Sequence, residues 1–167
     1  MIALVALIVA VAQVNALDID FIRCKVCERA IEHVWDKGAL LRKQCAEEPE
    51  SDPRCDFSAM HSFGIEEMVH GVCDGLPKTH AQMDHSEFDL VPHDTPQHTA
   101  EAAAAISKAC NLWLKEEHGA EHIALYIYAN LDAHKAKDTI LHSLQHRFCR
   151  KACDPEAKIR GDRHDEF

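Results

Sequence analysis

The chain has 167 residues, and 28 Asp and Glu against 18 Lys and Arg leave a formal net charge of −10. That balance argues against nucleic acid and anionic membranes as partners, because both are held by Lys/Arg patches. The length is that of one domain, and what stands out within it is eight cysteines and thirteen histidines.

Met1 to Ala16 carry no charged side chain and close on Val14-Asn15-Ala16, small residues where a signal peptidase reads. The apolar run is too short to span a bilayer, and Asp18 and Asp20 follow at once. Residues 1–16 are therefore expected to be a signal peptide, although they lack a basic n-region; the plainer alternative is a buried first helix. Cleavage there leaves all eight cysteines in an oxidising compartment. The mature chain, expected to be soluble, is long enough to bury roughly two thirds of its unfolded surface. Disulfides would then reinforce a real core.

From Asp20 to about Gln44, Val26, Ala30, Ile31, Val34, Trp35 and Leu41 recur at three- and four-residue intervals, the pattern of an amphipathic helix. Gly38 is a candidate kink. The polar stretch from Glu47 to Pro53 reads as a loop, flanked by Cys45 and Cys55. A second helix is predicted from Phe57 to Leu76, stopped by Gly75 and Pro77. Lys78 to Gln97 is the longest irregular stretch, with a short extended segment conceivable over residues 86–91.

A third helix starts near Thr99 as a plain N-cap. It continues through the strong helix formers Ala102 to Ala105 and buries Ile106, Cys110, Trp113 and Leu114 before Gly119 breaks it. Glu121 to Leu131 reads as a fourth helix and Lys135 to Cys153 as a fifth, the latter burying Ile140, Leu141, Leu144 and Phe148. The expected fold class is all-α: a disulfide-stapled helical bundle of four to five helices spanning residues 17–154. Residues 155–167 are expected to be a flexible tail. That tail ends in His164, Asp165, Glu166 and Phe167, close to the His-Asp-Glu-Leu signal that retrieves soluble proteins to the endoplasmic reticulum. Residence in that lumen is the expectation, with secretion as the alternative.

Eight cysteines allow on the order of a hundred connectivities, and spacing alone cannot choose among them. Cys24/Cys27 and Cys149/Cys153 each lie on one helical face. If the first and last helices run antiparallel, Cys24 meets Cys153 and Cys27 meets Cys149. Cys73 at the end of the second helix then joins Cys110 across the long loop, and Cys45 is left with Cys55.

That nested order is similar to the saposin-like arrangement. Several features together resemble the canopy family, saposin-like proteins of the endoplasmic reticulum related to the MIR-interacting saposin-like proteins. They are a leader followed by Cys24-x-x-Cys27, then Cys73-Asp74, Cys110 ahead of Glu116 and Glu117, two closely spaced final cysteines and the HDEL-like end. The resemblance covers about Arg23 to Phe167. The chain departs from the pattern in its additional Cys45 and Cys55, in the short spacing of Cys149 and Cys153, and in Phe167 where Leu is usual. What the resemblance implies is a non-enzymatic luminal co-chaperone or adaptor. Its partners would be folding client proteins such as receptors or secreted proteins, luminal chaperones, and the retrieval receptor that reads the C-terminus.

Other chemistry is weaker. Cys24-x-x-Cys27 as a redox dithiol wants a helix start after a strand, and no strand pattern precedes it. His118/His122 and His142/His146 stand at i,i+4 spacing, able to offer paired metal ligands, but without a Glu-x-x-His signature. His80, His85, His93 and His98 could titrate between compartments. No phosphate-binding loop or nucleophile elbow occurs. The expectation is therefore no enzyme, no catalytic residue, no metal and no cofactor. The acidic stretch Glu47 to Asp52 and the loop Lys78 to Gln97 are the candidate client contacts. A lipid-handling saposin is the main rival reading, and a thiol oxidoreductase the lesser one.

Overall fold

The computed structural model describes residues 19–50, 52–56, 60–82, 90–92, 100–116, 119–131 and 136–154. Six α-helices lie among them: α1 Ile19–Glu47, α2 Glu66–Thr79, α3 Ala100–Glu116, α4 Ala120–Asn130, α5 Lys137–Phe148 and α6 Arg150–Cys153. The protein is a disulfide-stapled all-α bundle. Among the described residues no helix is long and apolar enough to cross a membrane.

Helix α1 is the axis. Its apolar stripe, with Ile22, Val26, Cys27, Ala30, Ile31, Val34 and Trp35, is buried against α2, α3, α5 and α6. Ile106 and Trp113 of α3, Ile123 and Ile127 of α4, and Leu144 and Phe148 of α5 complete this main core. A smaller cluster of Leu41, Cys45 and Met60 closes the far end of α1. Gly38 does not end α1, which runs on unbroken to Glu47. Its role is close approach: a Cβ there would stand 2.8 Å from Ile65 Cδ1 and 3.4 Å from Leu131 Cδ1.

The helix predicted from Phe57 instead opens as a π-helical turn, Met60–Ile65, before α2 begins. Nor do Gly75 and Pro77 stop it. The helix continues to Thr79, its last turn held by a regular ladder bond and by the Thr79 side chain. The Thr79 hydroxyl reaches the Gly75 and Leu76 carbonyls (3.3 and 3.4 Å), and the His80 N–H donates to the Leu76 carbonyl. The predicted irregular stretch then contains a small antiparallel ribbon, β1 His80–Gln82 with β2 Leu90–Pro92, paired His80 to Pro92 and Gln82 to Leu90. Leu90 is buried under it.

The predicted fifth helix is two helices, broken at Cys149 (φ −103°, ψ −2°). The Phe148 carbonyl turns aside to accept from Trp113 Nε1 at 2.9 Å, and the helix restarts with Cys153 N–H donating to the Cys149 carbonyl at 2.8 Å. A tertiary hydrogen bond has replaced a local one. The expected leader, residues 1–16, and the tail from residue 155 lie outside the described residues, as does Thr99.

Candidate functional site

At one pole the chain is zipped. Cys24 is bonded to Cys153 and Cys27 to Cys149, with Cα atoms 4.4 and 5.7 Å apart. The structure also brings together Cys73 with Cys110 (5.3 Å) and Cys45 with Cys55 (5.1 Å), leaving no free cysteine. Around the zip, Arg23 of α1 pairs with Glu116 of α3, and Gln145 Nε2 of α5 donates to the Glu28 carbonyl at 3.2 Å. Lys151 Nζ donates to the Glu116 carbonyl (3.5 Å), a cation at the negative end of α3.

Beside the zip lies a groove of about 710 Å³, walled by α4 on one side and by α5 and α6 on the other. Ile140, Leu144 and Phe148 supply its apolar floor, and all three are buried members of the main core. Its rim carries three cations, Arg147, Arg150 and Lys151, and His122 and His146 also line it. Among the described residues no carboxylate lines it. The Arg147 guanidinium sits 3.9 Å from the Tyr126 ring centroid and 5.8 Å from that of Phe148. Tyr126 and Phe148 meet edge to face at 5.6 Å, and His122 packs against both rings. Sequence reading missed this groove. The available signal was Arg147-Phe-Cys-Arg150-Lys151, a basic run in an acidic chain, but its aromatic wall comes from Tyr126, some twenty residues earlier.

The histidine expectations divide. His122 belongs to the groove's aromatic wall; His118 lies outside the described residues. His142 and His146 are exposed on α5. The one cluster of possible metal-ligating atoms among the described residues is Cys24, Glu28 and Cys153. Its two sulfurs are bonded to each other, so neither is a thiolate donor.

His80, expected on a surface loop, is instead buried at the end of α2, its ring 5.5 Å from that of His33 on α1 in an edge-on contact. His80 Nδ1 lies 2.9 Å from the Thr79 hydroxyl. Burial pushes the His33 pKa down to about 4, helped by Lys37 and His80 against Asp36. Burial likewise lowers that of His80, with Arg29 adding to it and Glu32 opposing. His33 Nε2 is buried without a hydrogen-bond partner among the described residues. Both rings are thus set to stay neutral. His85, His93 and His98 lie outside the described residues.

Of the two stretches expected to touch clients, the loop from Lys78 to Gln97 is described only at residues 78–82 and 90–92. In the acidic stretch, Asp52 is occupied locally: its carboxylate accepts from the Arg54 backbone N–H at 2.9 Å and from the guanidinium at 2.6 to 3.1 Å. Those bonds hold its carboxyl down at about 2. His164, Asp165, Glu166 and Phe167 lie outside the described residues. No protein-family model, curated protein or solved structure matches this chain.

Proposed function

We propose that this chain is a luminal adaptor of the endoplasmic reticulum, a non-enzymatic co-chaperone that holds segments of folding client proteins and is retrieved through its His-Asp-Glu-Phe end. The observation that carries the reading is the pairing of a covalently locked scaffold with an open groove. A groove of this form admits a segment of another chain and leaves the rest of that chain outside. The apolar leader and the acidic C-terminal address support the compartment, and the resemblance to the canopy family supports the role. The oxidoreductase alternative wants Cys24 and Cys27 as an exchanging pair. Each is instead bonded across the zip, on the opposite helix.

The test is to express the full chain in cells with a tag placed after the leader, crosslink, and isolate it from the lumen. The expected outcome is co-isolation of immature secretory or receptor proteins, and leakage to the medium when Phe167 is removed. Native mass spectrometry of the same preparation provides the contrary outcome. Stoichiometric lipid without protein clients would replace the adaptor reading by the saposin-type lipid carrier.

A further inference from the structure

We infer that the groove between α4 and the α5–α6 pair is an anion-recognising docking site whose occupant is an acidic, extended segment of a client protein. The kind of occupant rests on the adaptor reading; the preference for negative charge comes from the groove itself. Carboxylates outnumber Lys and Arg by 28 to 18 in this chain, yet Arg147, Arg150 and Lys151 line one recess where, among the described residues, no carboxylate stands. Among the described residues none of the three forms an ion pair. Arg147 lies over Tyr126, and Lys151 meets the Glu116 carbonyl. Three cations gathered in one recess of an acidic chain make a local positive field that an incoming carboxylate satisfies.

The site is also preorganised. Contact with the Tyr126 ring, 3.9 Å from its centroid, restrains the Arg147 guanidinium, whose N–H donors suit a bidentate carboxylate. Arg150 and Lys151 stand on α6, which is bridged at Cys149 just before it and at Cys153 at its end. Little backbone freedom remains to be lost on binding.

Size and surroundings choose the occupant. The volume falls within the span of roughly 300–1,000 Å³ typical of ligand sites, so a few residues fit and a folded domain does not. The floor of Ile140, Leu144 and Phe148 receives an apolar side chain between the carboxylates. An anionic bilayer would present its charge to the whole surface, whose net charge of −10 repels it, whereas a single strand enters only the groove.

The experiment measures fluorescence anisotropy of the disulfide-intact full chain with a labelled peptide of alternating Glu and polar residues around a central Phe. A Gln-for-Glu peptide and phosphatidylserine vesicles are run beside it. The acidic peptide is expected to bind, to weaken as salt rises, and to bind about tenfold more weakly to Arg147→Gln and to Arg150→Gln, since each loses a charge-assisted hydrogen bond. Unchanged melting temperature and intact mass certify the variants. Should a variant misfold, the salt series and the Gln peptide on the unmodified chain decide alone. Equal binding of the neutral peptide, no salt dependence, or binding to the vesicles but not the peptide would each overturn the inference. Peptide failure while clients still co-isolate from the lumen removes only this site. Peptide binding without luminal clients removes the adaptor reading and leaves the anion site standing.

Discussion

The two ends of helix α1 are stapled by bridges of the same chemistry that do different work. At the zipped end, Cys24–Cys153 and Cys27–Cys149 join residues 129 and 122 positions apart, beside a buried Trp113 and the large basic groove. At the far end Cys45–Cys55 closes ten positions over a core of three buried residues, with Leu40 exposed on the surface. In the chain-entropy model a long closure is worth about 5 kcal/mol and a ten-residue one about 2.7 kcal/mol. The two zip bridges do not simply add. Once Cys24–Cys153 exists, the second closes only the short ring through Cys27 and Cys149, worth about 2–3 kcal/mol. The first bridge selects the topology and the second fixes the angle at which α6 and its cations are presented.

The comparison breaks most severely if the zip is opened. Replacing Cys24, Cys27, Cys149 and Cys153 by Ser is expected to remove about 7 kcal/mol, comparable with the whole stability of a typical domain. Urea unfolding that shows a loss no greater than for the far end would erase the distinction. Next, Trp113→Ala is expected to cost about 3–5 kcal/mol, because it empties a fully buried site and leaves the Phe148 carbonyl without its donor. The same chevron or melting series on Met60→Ala should show the smaller loss of the minor core, about 2 kcal/mol. Removing Cys45 and Cys55 together is expected to cost about 2–3 kcal/mol at most. Hydrogen exchange should rise around residues 45–56 and stay unchanged in α5 and α6; a spread to the zip would mean that the ends are coupled.

The pH response is smaller and sits between the ends. His33 and His80 have lowered pKa values when folded, so the unfolded chain binds protons more readily, and stability present above about pH 6.5 is lost as pH falls towards 4. Melting temperatures of His33→Gln should fall less steeply over that window. A parallel slope would move the cause elsewhere. Smallest of all is the surface pair of Lys137 and Asp36 (2.6 Å), where Lys137→Ala should cost under about 1 kcal/mol.

Much of the fold was legible because it is written in local periodicity. The apolar stripe of α1 and the i,i+3 and i,i+4 cysteines follow from helical geometry, and antiparallel docking of the first and last helices leads to the pairs the structure contains. What was illegible depends on groups distant in sequence. The break at Cys149 arises because Trp113, 35 residues earlier, takes the Phe148 carbonyl. The ribbon of β1 and β2 has hydrogen bonds but little strand propensity, since its residues include His80, Gln82 and Pro92. The groove needs α4 and α5–α6 side by side before Tyr126 and Arg147 can stack. Gly38 looked like a weak point by composition and is a contact point by packing.

The bridge between Cys24 and Cys153 makes the domain, seen as a curve in space, a closed loop rather than a thread with two ends. A protease that cuts once anywhere between those residues cannot release a fragment. The nicked molecule keeps its mass but for one water, and runs as a single band until a reductant opens the loop. The two ends of the loop, Cys24 and Cys153, lie 4.4 Å apart between Cα atoms. Both ends of the loop therefore lie at one pole, the one that bears the basic groove.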